Sequence, residues 1–221
     1  MDADSYARAA GSPEELAEQD RVLGRLAQVT RELMLATMTT EVDHAEVADV
    51  TAGLEALTTR LMKQATSGAL GIQVAEDGAV RAHGNSVVGH RNPMAPPLQI
   101  DRYPDGKALS SFHLGPLYEG PPGLVHGGVC AMVLDQMLGE AAAAGGSPGM
   151  TGTLTVRYRR PTPLGDLSAE AWIDHVEGYK TTVQGHLADA EGVTVEAEAV
   201  MILPRWAREA LDVRPRPTRF E

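Results

Sequence analysis

Disulfides are excluded by count, because Cys130 is the only cysteine in the 221-residue chain. A lone thiol fits a reducing cytoplasm. Aromatics are scarce, with two Trp, five Tyr and two Phe, so aliphatic side chains and Met must fill the core. Positive charge is also in deficit: 19 Lys and Arg stand against 30 Asp and Glu, for a net charge of -11. That balance argues against a nucleic-acid partner, since neutralising phosphates takes clustered cations. No apolar run reaches the roughly 18 residues that a membrane-spanning helix requires. The start, Met1-Asp2-Ala3-Asp4, lacks the basic flank and apolar stretch of a signal peptide. The expectation is a cytoplasmic protein with no membrane span and no nucleic-acid partner.

What is present divides the chain into regions. Residues 12 to 38 predict a helix, with Ser12 as N-cap, Pro13 at the first position and Glu14 and Glu15 in the first turn. A second helix is predicted over 43 to 65, carried by Val47, Val50, Leu54, Leu57, Leu61 and Met62. We take 1–66 as an N-terminal helical extension. Residues 67–97 are rich in Gly and end in the breaker cluster Asn92-Pro93-Met94-Ala95-Pro96-Pro97, which predicts a long wrapping loop. A domain over 98–204 follows, and 205–221 is a basic, proline-rich tail.

Within 98–204 the pattern changes. Leu98 to Tyr103 and Ala108 to Leu114 predict a hairpin around Pro104-Asp105-Gly106. Residues 126 to 144 predict a helix that is apolar nearly all round and ends at Gly145-Gly146. Four strands are predicted at 151 to 159, 167 to 177, 180 to 188 and 193 to 203. In the last, Val193, Val195, Ala197, Ala199 and Met201 alternate with Thr194, Glu196 and Glu198. The short turns require antiparallel neighbours. A helix apolar on all sides needs cover on all sides, and an antiparallel sheet curled around it supplies that cover. The expected class is therefore α+β, with the hotdog architecture.

The candidate chemistry lies on that helix. Asp135 sits amid Cys130-Ala131-Met132-Val133-Leu134 and Gln136-Met137-Leu138, with no Lys or Arg between 126 and 144. Burying an unpaired carboxylate costs several kcal/mol, so a chain that keeps one marks a candidate general base. The competing reading has Asp135 facing water or accepting backbone hydrogen bonds. At the helix start, Gly127 and Gly128 offer free N–H groups and the positive end of the dipole to a developing oxyanion. The competing reading is a Gly-Gly turn that merely enters a helix. Gly128 and Asp135 share a face but stand about 10 Å apart along the axis, too far for one small reacting centre. This predicts a homodimer whose sites are shared between subunits. Cys130 reads as a small buried hydrophobe, and His44, His83, His90, His113, His175 and His186 show no metal-ligand spacing.

Two motifs at a matching separation carry a resemblance. The segment Tyr118 to Asp135 contains His126-Gly127-Gly128, six residues, then Asp135, and Thr151-Gly152-Thr153-Leu154-Thr155-Val156-Arg157-Tyr158-Arg159-Arg160-Pro161 follows. Together they resemble the PaaI-type hotdog acyl-CoA thioesterases, in particular the thioesterase superfamily member 4 and 5 group. The resemblance covers about residues 98 to 203. It implies Asp135 as general base or nucleophile, the Gly128 amide as donor to the thioester oxygen, His126 as a pocket-shaping group and Thr151 as the hydroxyl that positions water. Some relatives carry Asn or Gln where this chain has Gly120, a departure that affects oxyanion binding. Gly127, Gly120, Arg157 and Arg160 are the candidate substrate contacts, the arginines for coenzyme A phosphates; the competing reading of the arginines is solvated strand charge. No metal or redox cofactor is implied, and coenzyme A enters only as part of the substrate. The partners expected are an acyl-CoA and a second copy, as a homodimer or a dimer of dimers. A non-catalytic acyl-CoA sensor or scaffold and a hotdog hydratase remain as alternatives.

Overall fold

A computed structural model describes residues 6–66, 70–76, 80–96, 98–205, 207 and 208. The chain divides into two compact units, Met1–Ala95 and Pro96–Glu221.

The first unit contains β1 (Tyr6–Arg8), α1 (Pro13–Thr39), α2 (His44–Met62), β2 (Ile72–Val74) and β3 (Val80–Arg81). α1 begins with a full capping box: the Ser12 hydroxyl accepts from the Glu15 N–H, and the Glu15 carboxylate accepts from the Ser12 N–H. α2 is capped by Asp43, which accepts from the Ala45 and Glu46 amides. Both helices lie close to their expected limits. The segment expected to be loop differs, because β2 pairs in parallel with β1 and antiparallel with β3. Strands of two and three residues are too short to leave a period-2 signal. Arg81, the last residue of β3, is buried and donates to the Asp20 carboxylate at 2.6 Å and to Gln19 and His83.

The second unit holds β4 (Asp101–Tyr103), β5 (Lys107–Leu114), α3 (Gly127–Ala144), β6 (Met150–Tyr158), β7 (Gly165–Glu177), β8 (Lys180–Asp189) and β9 (Gly192–Ile202). The six strands form one antiparallel sheet in the order β4-β5-β7-β8-β9-β6. Alternate residues point to α3: Leu167, Ala169 and Ala171 of β7, Val183 and Leu187 of β8, and Val195, Ala197, Ala199 and Met201 of β9 are all buried. The alanines let the helix approach closely. α3 buries Cys130, Val133, Leu134, Met137, Leu138, Ala141 and Ala142. Each fully buried Leu or Met contributes roughly 1.5–3 kcal/mol of transfer free energy, so the helix–sheet contact dominates this unit's stability.

α3 and strands β5 to β9 match expectation to within about two residues, whereas β4 is half the expected length, starting at Asp101 rather than Leu98. The cover on α3 is narrower than its apolar sequence predicts: Ala131, Met132, Asp135, Gln136 and Gly139 are half-buried and Ala143 is exposed. Most of the proline-rich tail lies outside the described residues.

Candidate active site at the central helix

The start of α3 is built by a tight turn. The Gly120 N–H donates to the Leu124 carbonyl, the His126 N–H donates to the Tyr118 carbonyl, and the Glu119 carboxylate accepts from the Gly123 N–H at 2.7 Å. A Cβ at Gly120 would lie 2.8 Å from the His126 Cα, so only glycine lets this turn fold onto the histidine. Gly120 thus acts by close packing and has no side chain of its own to offer an oxyanion.

His126 is the N-cap of α3, and its Nδ1 accepts from the Gly128 N–H at 3.0 Å. This arrangement differs from an open Gly128 donor, because the ring has taken that amide. An accepting Nδ1 carries no proton, so a neutral ring holds its proton on Nε2 and can donate there. The adjacent Gly127 N–H has no hydrogen-bond partner among the described residues and sits at the positive end of the helix. The Tyr158 hydroxyl donates to the Gly127 carbonyl at 2.7 Å and a Cβ on Gly127 would press against its ring at 3.3 Å. Desolvation, aided by the nearby Cys130, pushes the Tyr158 phenol above the ordinary tyrosine range, which favours the neutral, donating hydroxyl. In sequence Tyr158 is only one residue of a strand motif; its contact to the helix start arises because β6 lies beside α3.

Two turns further along α3, the Thr151 hydroxyl donates to Asp135 Oδ1 at 2.7 Å. Asp135 is half-buried, and no ion pair reaches it among the described residues. Thr151 lies beside an irregularity, since the register of β6 on β9 shifts between Thr151 and Thr153. Such a bulge re-aims a side chain at the end of a strand, and here it turns the Thr151 hydroxyl to the helix. The bond occupies one carboxylate oxygen and leaves the other available.

The two candidate arginines lie elsewhere. Arg160 donates to both Asp189 oxygens and to the Gly192 carbonyl, tying the β8–β9 turn. Asp189 is held down to about 2, first by the Arg160 hydrogen bond. Arg157 is opposite Glu196 and lines a cavity with Trp172 and His186 on the sheet face away from α3. Neither arginine joins Asp135. Cys130 is buried, and burial pushes its thiol up, in keeping with a packing role. Among the described residues no three His, Cys, Asp or Glu side chains converge on a common point, and no helix is long and apolar enough to cross a membrane.

An antiparallel sheet wrapped on one helix, with a glycine-rich helix start and an acid farther along it, defines a hotdog protein. The sequence model of the thioesterase superfamily matches residues 122–196. A solved structure of a thioesterase superfamily protein is 31% identical, covers 89% of this chain and 98% of its own, and superposes with a TM-score of 0.73. The chain belongs to the thioesterase superfamily. Among curated proteins, the acyl-coenzyme A thioesterase THEM4 of Xenopus laevis is 37% identical over 94 residues, covering 41% of this chain and 42% of its own. THEM4 of Bos taurus is 33% identical over 94 residues, covering 42% and 38%. The chain therefore spans only about two fifths of the length of these relatives.

Proposed function

We propose that this protein hydrolyses an acyl-CoA thioester to the free acid and coenzyme A. The observation that carries the reading is the 2.7 Å hydrogen bond from Thr151 to Asp135 on a half-buried stretch of α3. One Asp135 oxygen is held by Thr151, and the other accepts a proton from a water that the Thr151 oxygen orients. The resulting hydroxide forms a C–O bond at the thioester carbon. The carbonyl oxygen becomes an oxyanion stabilised by the Gly127 N–H and the Nε2 side of His126. Collapse breaks the C–S bond, and the proton on Asp135 passes to the departing thiolate. The Gly128 amide then acts indirectly, by orienting His126.

The donor and the base belong to different copies. Gly127 and Asp135 are eight residues apart on one helix, about 12 Å of rise, whereas the reacting carbon must approach both. β6 ends the sheet and exposes Thr151, Thr153, Thr155 and Arg157. An uncovered edge strand pairs readily with another. A homodimer joined along β6 also covers the half-buried face of α3 and brings one subunit's Gly127 towards the partner's Asp135. The lone buried thiol suits a cytoplasmic setting.

The test is release of free coenzyme A from a panel of acyl-CoAs. Asp135→Asn is expected to lower kcat by about 10²–10⁴, the range for loss of a general base. Single turnover in ¹⁸O-water places label in the acid product and none in Asp135. Tight acyl-CoA binding with no turnover by the wild type identifies a sensor instead, and water addition to an enoyl-CoA identifies a hydratase.

A further inference from the structure

α2 carries an apolar seam that no described residue buries. Val47, Val50, Leu54, Leu57 and Leu61 recur at alternating steps of three and four, the strict a/d spacing of a coiled-coil seam, narrower than the stripe of a helix lying on a globular core. No residue of α2 is buried; Val47 is 43% exposed, Leu57 50% and Leu61 59%. The 19-residue helix is about 28 Å long, enough for four seam layers.

The charges beside the seam select its occupant. With Val47 and Leu54 at a positions, Glu46 and Arg60 fall at g, and neither side chain makes an ion pair among the described residues. In an antiparallel pair of identical helices, a residues pack across from d residues. Setting Val47 against Leu57 of a second copy, and Val50 against its Leu54, brings Glu46 to the Arg60 of that copy and Arg60 to its Glu46. Both ion pairs therefore form from one sequence. A parallel pair instead sets Glu46 against Thr51. The two-fold axis of the antiparallel pair passes beside Gly53, where an added Cβ meets nothing within 4 Å, so the backbones can approach there. We infer that α2 pairs antiparallel with α2 of a second copy of this chain, through a seam of Val47, Val50, Leu54 and Leu57 from each helix.

This contact is separate from the β6 edge, and its test reads no hydrolysis. In the full-length chain, Gly53→Cys is expected to form a disulfide-linked dimer on mild oxidation, while Ala52→Cys, on the outer side of α2, is not; native Cys130 is buried. Glu46→Arg and Arg60→Glu are each expected to raise the dissociation constant roughly tenfold in sedimentation experiments, and the double swap to restore it. All these positions are exposed, and circular dichroism checks that helix content is retained. Equal cross-linking at 52 and 53, or a double swap as weak as the single changes, overturns the inference. A persisting dimer that never cross-links at 53 also overturns it, while leaving the β6 dimer and the hydrolytic reading intact.

Discussion

α2 and α3 are helices of 19 and 18 residues built largely from Ala, Val and Leu, yet α3 buries seven side chains and α2 none. The difference comes from what the rest of the chain supplies. α3 lies between β5 and β6 in sequence and receives an alternating face from β7, β8 and β9, whereas no strand of the small β1-β2-β3 sheet in α2's own unit buries a residue of α2. Their internal patterns differ accordingly. α3 is apolar around most of its circumference, as suits a helix enclosed by a sheet. α2 keeps a two-position seam flanked by Thr, Gly and single charges, as suits a helix that meets another helix.

The sharpest way to break this comparison is at the chemistry. Asp135→Asn should abolish most hydrolysis, while Glu55→Gln, a carboxylate change on α2, should leave kcat unaltered in the same free-thiol assay. Equal effects would remove α3's claim to the active site. Next comes packing. Leu134→Ala empties a fully buried position and should cost about 2–5 kcal/mol in urea denaturation. Leu57→Ala, half exposed, should cost well under 1 kcal/mol in dilute protein and act on association instead. Thr151→Val keeps the shape of the side chain but removes the donor to Asp135; a drop in kcat of about tenfold to a hundredfold is expected, with folding stability nearly unchanged. Arg160→Ala should lower the melting temperature with little change in turnover, because its guanidinium is engaged by Asp189 and the Gly192 carbonyl.

The smallest predicted effect is a pH dependence in the first unit. Desolvation lowers the buried His83 imidazole by more than nearby Asp20 raises it, and Arg81, Arg91 and His90 add to the lowering. The unfolded chain takes up a proton near 6.5, and the folded chain only at lower pH. Stability from this group is thus complete above about pH 6.5 and declines as pH falls towards the folded value. Urea midpoints at pH 7.5 and 5.5 should show this decline in the wild type and a weaker one in His83→Gln.

His126-Gly127-Gly128 followed by Asp135, with Thr151 on the next strand, marked the candidate acid, helix start and hydroxyl in the sequence, and the structure brings Thr151 into hydrogen-bond contact with Asp135. A glycine pair shows two amides but not which one a neighbouring ring will engage; in the fold the His126 Nδ1 accepts from the Gly128 amide. Arg160 was legible as a cation and illegible as a turn clasp, since its partner Asp189 lies 29 residues away.

By itself the sequence determined the helices, the long strands and the presence of Asp135 in the middle of an apolar helix, because periodicity and capping are local and depend on residues a few positions apart. Tertiary structure alone decided that Thr151 bonds Asp135, that Tyr158 braces Gly127, that β6 is an edge and that one face of α3 stays partly bare. Those facts depend on strand order and on a one-residue bulge, which bring together residues that no local pattern relates.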